Sequence, residues 1–267
     1  MAELNPPDKN DERRQRSDHF EEDIDDLMSK ISVDFLLDLT HAFFTNRDTL
    51  AFGQAETIDP FLQKYEKIKQ MIVNSRPKPD DFQILKTIGS GGHFSEVKLV
   101  RRKHTKKVYA MKILPKTKML KNTSQACFWE ERAIGVSAKS EWIVKTNYAF
   151  QDIKNLYLVM DFMPGGDLVT LIDKNGTFSE KCTKFYTAEV ILALDALHSM
   201  GFLHRDIKPD NMLLDHQGHI KLTDFGVSAR MDDQGLVHEE AVVGTEGYIS
   251  PEVLNAKETK KGYGREV

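Results

Sequence analysis

Apolar positions fall into two regions with different periods. In the first, Phe20, Ile24, Leu27 and Ile31 recur three or four residues apart, which is one face of a helix. A second apolar run, from Val33 through Phe35, Leu36, Leu37, Leu39, Phe43 and Phe44, opens just after Ser32, a residue suited to N-capping. Asp59 and Pro60 read as the cap and first residue of a third helix with Phe61, Tyr65, Ile68 and Ile72 as its stripe. Residues 17–75 are therefore expected to form a helical extension, ended by the proline-bearing stretch 74–81. Residues 1–16 carry Pro6, Pro7 and mixed charge without apolar periodicity, and are expected to be a disordered tail. Three short helices bury too little surface to stand alone. They should pack either on the next domain or on a second copy of themselves.

From Phe82 the pattern shifts to short β-rich runs at 82–88, 96–101, 108–114, 142–150 and 156–162, with a helical stretch near 123–136. A long helix is predicted over 179–200, with Phe185, Ala188, Ile191, Leu192 and Leu197 facing inward and Gly201 at its C-terminal end. Short strands near 212–214 and 220–222 follow. The order implies an α+β fold: a small sheet with one helix, then a larger and mainly helical part.

Charge and composition narrow the classes. A formal net charge of −4, from 37 Lys and Arg against 41 Asp and Glu, supplies no basic field, so nucleic acid and acidic lipid are not expected as partners. The two cysteines, Cys127 and Cys182, lie in expected helices and read as reduced thiols. The start is polar and no stretch is long and apolar enough to span a bilayer, so a soluble, cytoplasmic protein without a membrane span is expected.

Chemistry enters at four segments. Gly89, Gly91 and Gly92 lie between strand-like runs, where the absence of β-carbons lets backbone N–H groups close over phosphate oxygens; a plain hairpin turn is the alternative. Lys112, on a strand two ahead, can hold ATP phosphates if a carboxylate opposes it, with Glu131 preferred over a solvated Glu130. His204-Arg205-Asp206-Ile207-Lys208-Pro209-Asp210-Asn211 places a base, a cation and a neutral Mg²⁺ ligand in one short loop. Asp224-Phe225-Gly226 adds a hard carboxylate for Mg²⁺, and Gly244-Thr245-Glu246-Gly247-Tyr248-Ile249-Ser250-Pro251-Glu252 closes the series.

With these motifs in order, residues 82–267 resemble the AGC group of serine/threonine protein kinases, in the branch of Rho-associated, myotonic dystrophy-related and citron Rho-interacting kinases. Tyr148-Ala149-Phe150-Gln151-Asp152 and Met163-Pro164-Gly165-Gly166-Asp167-Leu168 look like that branch, and His93-Phe94-Ser95-Glu96-Val97 looks most like citron kinase. The resemblance implies a bilobal kinase fold, ATP and Mg²⁺ as cofactors, and catalytic roles for Arg205, Asp206 and Lys208. It implies nucleotide contacts from Ile88, Gly89, Gly91, Gly92, Val97, Ala110, Lys112, Glu131 and Asn211. By it Met160 is the gatekeeper, Asp161 and Met163 belong to the adenine hinge, Asp167 faces the ribose, and Asn211 and Asp224 hold metal. It further implies Ser/Thr protein substrates near basic residues, homodimerisation through residues 20–73, and a place in Rho signalling at the cytoskeleton.

Departures from the pattern carry their own expectations. Ser95 replaces the third glycine and one extra residue lies between Ile88 and Phe94, which unsettles the register of the phosphate loop. Between Asp224 and Gly244 the only hydroxyl residue is Ser228, and Ala241 occupies the usual activation position. Glu239 and Glu240 beside it could set a permanent negative charge near Arg205. The sequence given stops at Val267, before a helix that the resemblance would supply, so exposed apolar surface is expected. A non-catalytic, dimerising or regulatory fragment and a nucleotide-binding pseudokinase remain the rival readings.

Overall fold

A computed structural model describes residues 76–91, 95–121 and 128–267. The tail, the helical extension with its dimerisation role, Gly92 and Cys127 lie outside the described residues. The chain divides between Arg76 and Pro77, and the unit Pro77–Val267 carries all that follows.

Its first layer is a five-stranded antiparallel sheet in the order β1-β2-β3-β5-β4. The strands are β1 (Phe82–Gly91), β2 (Ser95–Arg102), β3 (Val108–Pro115), β4 (Thr146–Gln151) and β5 (Asn155–Asp161). Helices α1 (Lys116–Lys121) and α2 (Phe128–Ser137) lie between β3 and β4 in sequence. The period of two along β3 and β5 sorts the side chains. Tyr109, Met111, Tyr157 and Val159 join Phe82, Val100 and Phe150 in one core. Leu114 and Leu158 point the other way and pack with Phe128 of α2 and Ala149. Lys112 shares the second face by register, two residues from Leu114, and this alternation aims it at α2.

The two strands of the first hairpin differ in length. Leu85 and Ile88 bulge out of β1, which shifts the pairing between Ile84 and Lys86 and again between Thr87 and Gly89. The irregularity expected between Ile88 and Phe94 falls partly on residues 92–94, outside the described residues.

The second layer begins with β6 (Gly166–Asp167), α3 (Leu168–Asn175) and α4 (Glu180–Ser199). It continues with β7 (Phe202–Leu203), β8 (Met212–Leu214), β9 (Ile220–Leu222), β10 (Ala229–Arg230) and α5 (Pro251–Thr259). Strands β6, β8 and β9 form one small sheet, and β10 pairs with β7. Ile143, Ala193, Leu197, Ile220, Leu222 and Phe225 centre the core of this part.

Two expectations are corrected. The strand foreseen over 142–150 is confined to Thr146–Gln151, because residues 142–144 spend their backbone bonds on β9: Leu222 N–H donates to the Trp142 carbonyl at 2.8 Å and Val144 N–H to the Leu222 carbonyl at 2.9 Å. Helix α4 is present, capped by Ser179 Oγ, but it presents a different face. Phe185, Ile191 and Leu192 are 47%, 61% and 49% exposed and Ala188 is exposed, whereas Glu189, Ala193, Leu197 and His198 are buried. Apolar residues lie on both sides of α4, so periodicity alone could not choose. Buried polar bonding chooses instead: Glu189 accepts from Ile220 N–H at 2.8 Å and pairs with His219 Nδ1 at 2.5 Å.

Candidate active site

Between the two layers opens a cleft of about 320 Å³. The sheet contributes Ile88, Gly89, Val97, Ala110 and Met160 as an apolar wall, continued by Asp161 at the end of β5 and by Phe162 and Met163 just beyond it. Its other side is made by Asp167, Asp210, Asn211, Leu213, Thr223 and Asp224. Of the expected loop glycines, Gly89 lines this wall, and Gly91 ends β1 paired with Ser95.

At the floor three charged groups meet. Lys112 Nζ lies 2.6 Å from Glu131 Oε1 and 2.6 Å from Asp224 Oδ1. The Lys112 and Glu131 side chains are 6% and 4% exposed, whereas Asp224 is 31% exposed toward the cleft. Burial works against the Lys112 charge, but the Glu131 and Asp224 carboxylates outweigh it and hold its pKa above the ordinary lysine range. The same lysine holds the Asp224 carboxyl below its ordinary range. A fixed cation facing an open cleft beside an ionised carboxylate suits the phosphates of a nucleotide. Glu130, the alternative partner, makes no such contact.

Gly135 explains how closely α2 approaches: a Cβ there would lie 2.1 Å from Thr146 Oγ1 on β4. One turn earlier on the same helix, Glu131 is thereby brought down onto Lys112.

A second cluster lies on the loop before β8. Lys208 Nζ is 2.9 Å from Asp206 Oδ2 and donates to Thr245 Oγ1 at 2.5 Å. Asn211 Nδ2 donates to the Asp206 carbonyl at 2.8 Å and to Asp206 Oδ2 at 3.1 Å, which turns its amide oxygen away from Asp206. Asp206 Oδ1 is buried without a hydrogen-bond partner, an acceptor poised for a hydroxyl that the protein itself does not supply. Below the loop, fully buried His204 bonds the Thr223 carbonyl through Nε2 at 3.0 Å and receives Asp206 N–H on Nδ1 at 3.3 Å. That is the pattern of one neutral tautomer.

Among the described residues no three His, Cys, Asp or Glu side chains converge as a metal cage. Asp224 and Asn211 offer two oxygen donors at the cleft, and this set fits Mg²⁺, which keeps water and substrate phosphates as its other ligands. Asp167 lines the cleft, and its Oδ1 also caps α3 by accepting Thr170 N–H at 2.6 Å.

The protein kinase domain family matches residues 82–267. The chain belongs to the protein kinase family. Human Rho-associated protein kinase 1 is 51% identical over 241 residues, covering 90% of this chain and 18% of that protein. Rho-associated protein kinase let-502 of Caenorhabditis briggsae is 48% identical over 242 residues, covering 91% and 20%. Human serine/threonine-protein kinase MRCK beta is 44% identical over 240 residues, covering 89% and 14%. The chain thus spans a fifth or less of the length of these relatives, and it falls in the Rho-associated branch of the AGC group that its motifs resembled.

Several residues of this kinase site gave no signal in the sequence reading. Val144 and Thr223 line the cleft only because the chain crosses there. Tyr263 reaches the catalytic loop from near the end of the described chain, its hydroxyl 2.9 Å from Arg205 Nη1. Ser250 caps helix α5 and Pro251 lies in its first turn, so the segment Gly244–Glu252 that closes the series of motifs ends inside a helix.

Proposed function

We propose that this chain transfers the γ-phosphoryl group of ATP to serine or threonine hydroxyls of proteins. The observation that carries the reading is the meeting of Lys112, Glu131 and Asp224 at one end of the cleft, with the unpartnered Asp206 Oδ1 of the catalytic loop available to a hydroxyl. The apolar wall of Ala110, Val97, Ile88 and Met160 suits an adenine ring. Lys112 holds phosphate oxygens in place of Asp224 when nucleotide enters. Asp206 orients the acceptor hydroxyl and takes its proton, Lys208 offsets charge on the group in transfer, and Asn211 fixes the Asp206 carboxylate. Bound Mg²⁺, held by Asp224 and Asn211, supplies charge neutralisation at the phosphates. A preference for basic peptides, pairing through residues 20–73 and a cytoplasmic place near the cytoskeleton extend the same reading, supported by likeness to the Rho-associated kinases.

The test is phosphate transfer from Mg-ATP to a basic Ser/Thr peptide by the chain, beside Asp224→Ala and Asp206→Asn. Turnover in the parent with a loss of at least about a hundredfold in both variants is expected. Parent and variants equal in rate would leave a non-catalytic fragment as the better account.

A further inference from the structure

Arg205 stands immediately before Asp206, and its side chain is only 1% exposed. Its Nε donates to the Val227 carbonyl at 2.7 Å, and its Nη1 donates to Tyr263 Oη at 2.9 Å and to Glu239 Oε2 at 2.6 Å. Among the described residues Glu239 is the one carboxylate paired with this guanidinium. Burial disfavours the Arg205 charge, and the bonds to Glu239 and Tyr263 reverse that, so the guanidinium is held above its ordinary pKa. A surface ion pair of this length is worth little, but here one partner is sealed from water and pairs with no other carboxylate among the described residues.

The backbone around the pair is tightly set. Arg205 has a φ of +66°, a left-handed conformation that a side chain adopts only when its surroundings hold it there. Gly244 has a φ of +109°, and a Cβ on it would come within 2.6 Å of the Arg205 carbonyl. Val237, two residues before Glu239, exchanges backbone hydrogen bonds of 2.9 and 3.1 Å with Tyr263. The residues from 224 to 244 offer Ser228 as their only hydroxyl. Ser228 is fully buried and donates to the His204 carbonyl at 3.3 Å, out of reach of any modifying enzyme while the fold stands.

We infer that Glu239 is a positioning residue: its carboxylate clamps Arg205, and through it the adjoining Asp206, so that the catalytic loop is held by a charge encoded in the chain rather than by a phosphate added to it. The inference rests on the kinase reading of the site. Glu240, exposed and without a hydrogen bond or ion pair to a described residue, is the internal control.

The experiment compares the parent chain with Glu239→Gln, Glu239→Asp, Glu240→Gln and Asp224→Ala. It reads peptide phosphorylation kinetics, with and without prior treatment by a protein phosphatase, and amide hydrogen exchange over residues 206–211. Glu239→Gln is expected to lower kcat by about ten- to a hundredfold, the cost of one charge-assisted hydrogen bond, with KM for ATP within about twofold. Exchange over 206–211 should rise in the same variant, Glu239→Asp should recover part of both, and Glu240→Gln should match the parent. Phosphatase treatment should leave the parent rate unchanged. Parental kcat in Glu239→Gln overturns the inference, whether or not exchange rises, and so does a parent rate abolished by phosphatase. Equal rates in parent and Asp224→Ala would sink the kinase reading instead, and the exchange comparison would then still decide whether Glu239 holds the loop.

Discussion

Two histidines within the larger part respond to protons in opposite ways. Burial depresses the pKa of His204 despite its bond to the Thr223 carbonyl, so its contribution to stability is full above about pH 6.5 and lost as pH falls through the folded value. The Glu189 carboxylate raises the pKa of His219, so that contribution is full below about pH 6.5 and lost as pH rises through the folded value. His219→Gln should therefore melt below the parent near pH 5.5, with the gap closing by about pH 8.5. Thermal melts across this range check it, and a gap independent of pH would mean that the 2.5 Å contact acts without charge. Residues whose chemistry is complete within a few positions were legible: Asp206, Lys208 and Asn211 share one loop. Tyr263 was not, since its partner lies 58 residues away and tyrosine carries no sign of which guanidinium it will meet. Glu239 was half legible: its charge and position pointed at Arg205, while the choice between it and Glu240 required the geometry.

The seam between α2 and β4 decides whether the Lys112 pair can form. Gly135→Ala would set a methyl 2.1 Å from Thr146 Oγ1 and 2.9 Å from its Cβ, both inside contact distance. Helix α2 must then retreat, at a cost of about 1–3 kcal/mol for overpacking, and Glu131 retreats with it. A lower Tm and a raised KM for ATP are expected, with Thr146→Ala in the same chain recovering part of both. An unchanged Tm would show the seam to be slack. At this scale strand identity was legible because β3 and β5 are short β-rich apolar runs, buried on both faces. The inward face of α4 was not, since Phe185, Ile191 and Leu192 look as suited to a core as Leu197 does, and the deciding contacts belong to Glu189.

Over the whole unit the cleft joins two layers that each own a core. The Lys112 side chain reaches from the sheet to Asp224, which follows β9 in the other layer. Ligand that binds only the assembled cleft must stabilise both, by about 2.7 kcal/mol at a hundredfold excess over Kd. Mg-ATP is therefore expected to raise the Tm of the chain as one transition, and Lys112→Met to remove that rise. Two separate transitions with only one shifted would mean that the layers are not coupled through the site.

The three charges under the cleft also carry an order in time. Lys112 and Glu131 are 19 residues apart, whereas Asp224 is 112 residues beyond Lys112. On a ribosome adding about 5–20 residues per second, the first pair can close roughly 5–20 s before the third partner is made. The sheet and α2 thus hold Lys112 oriented by Glu131 before Asp224 is made, and the arrival of Asp224 docks the later layer onto an ammonium already in place.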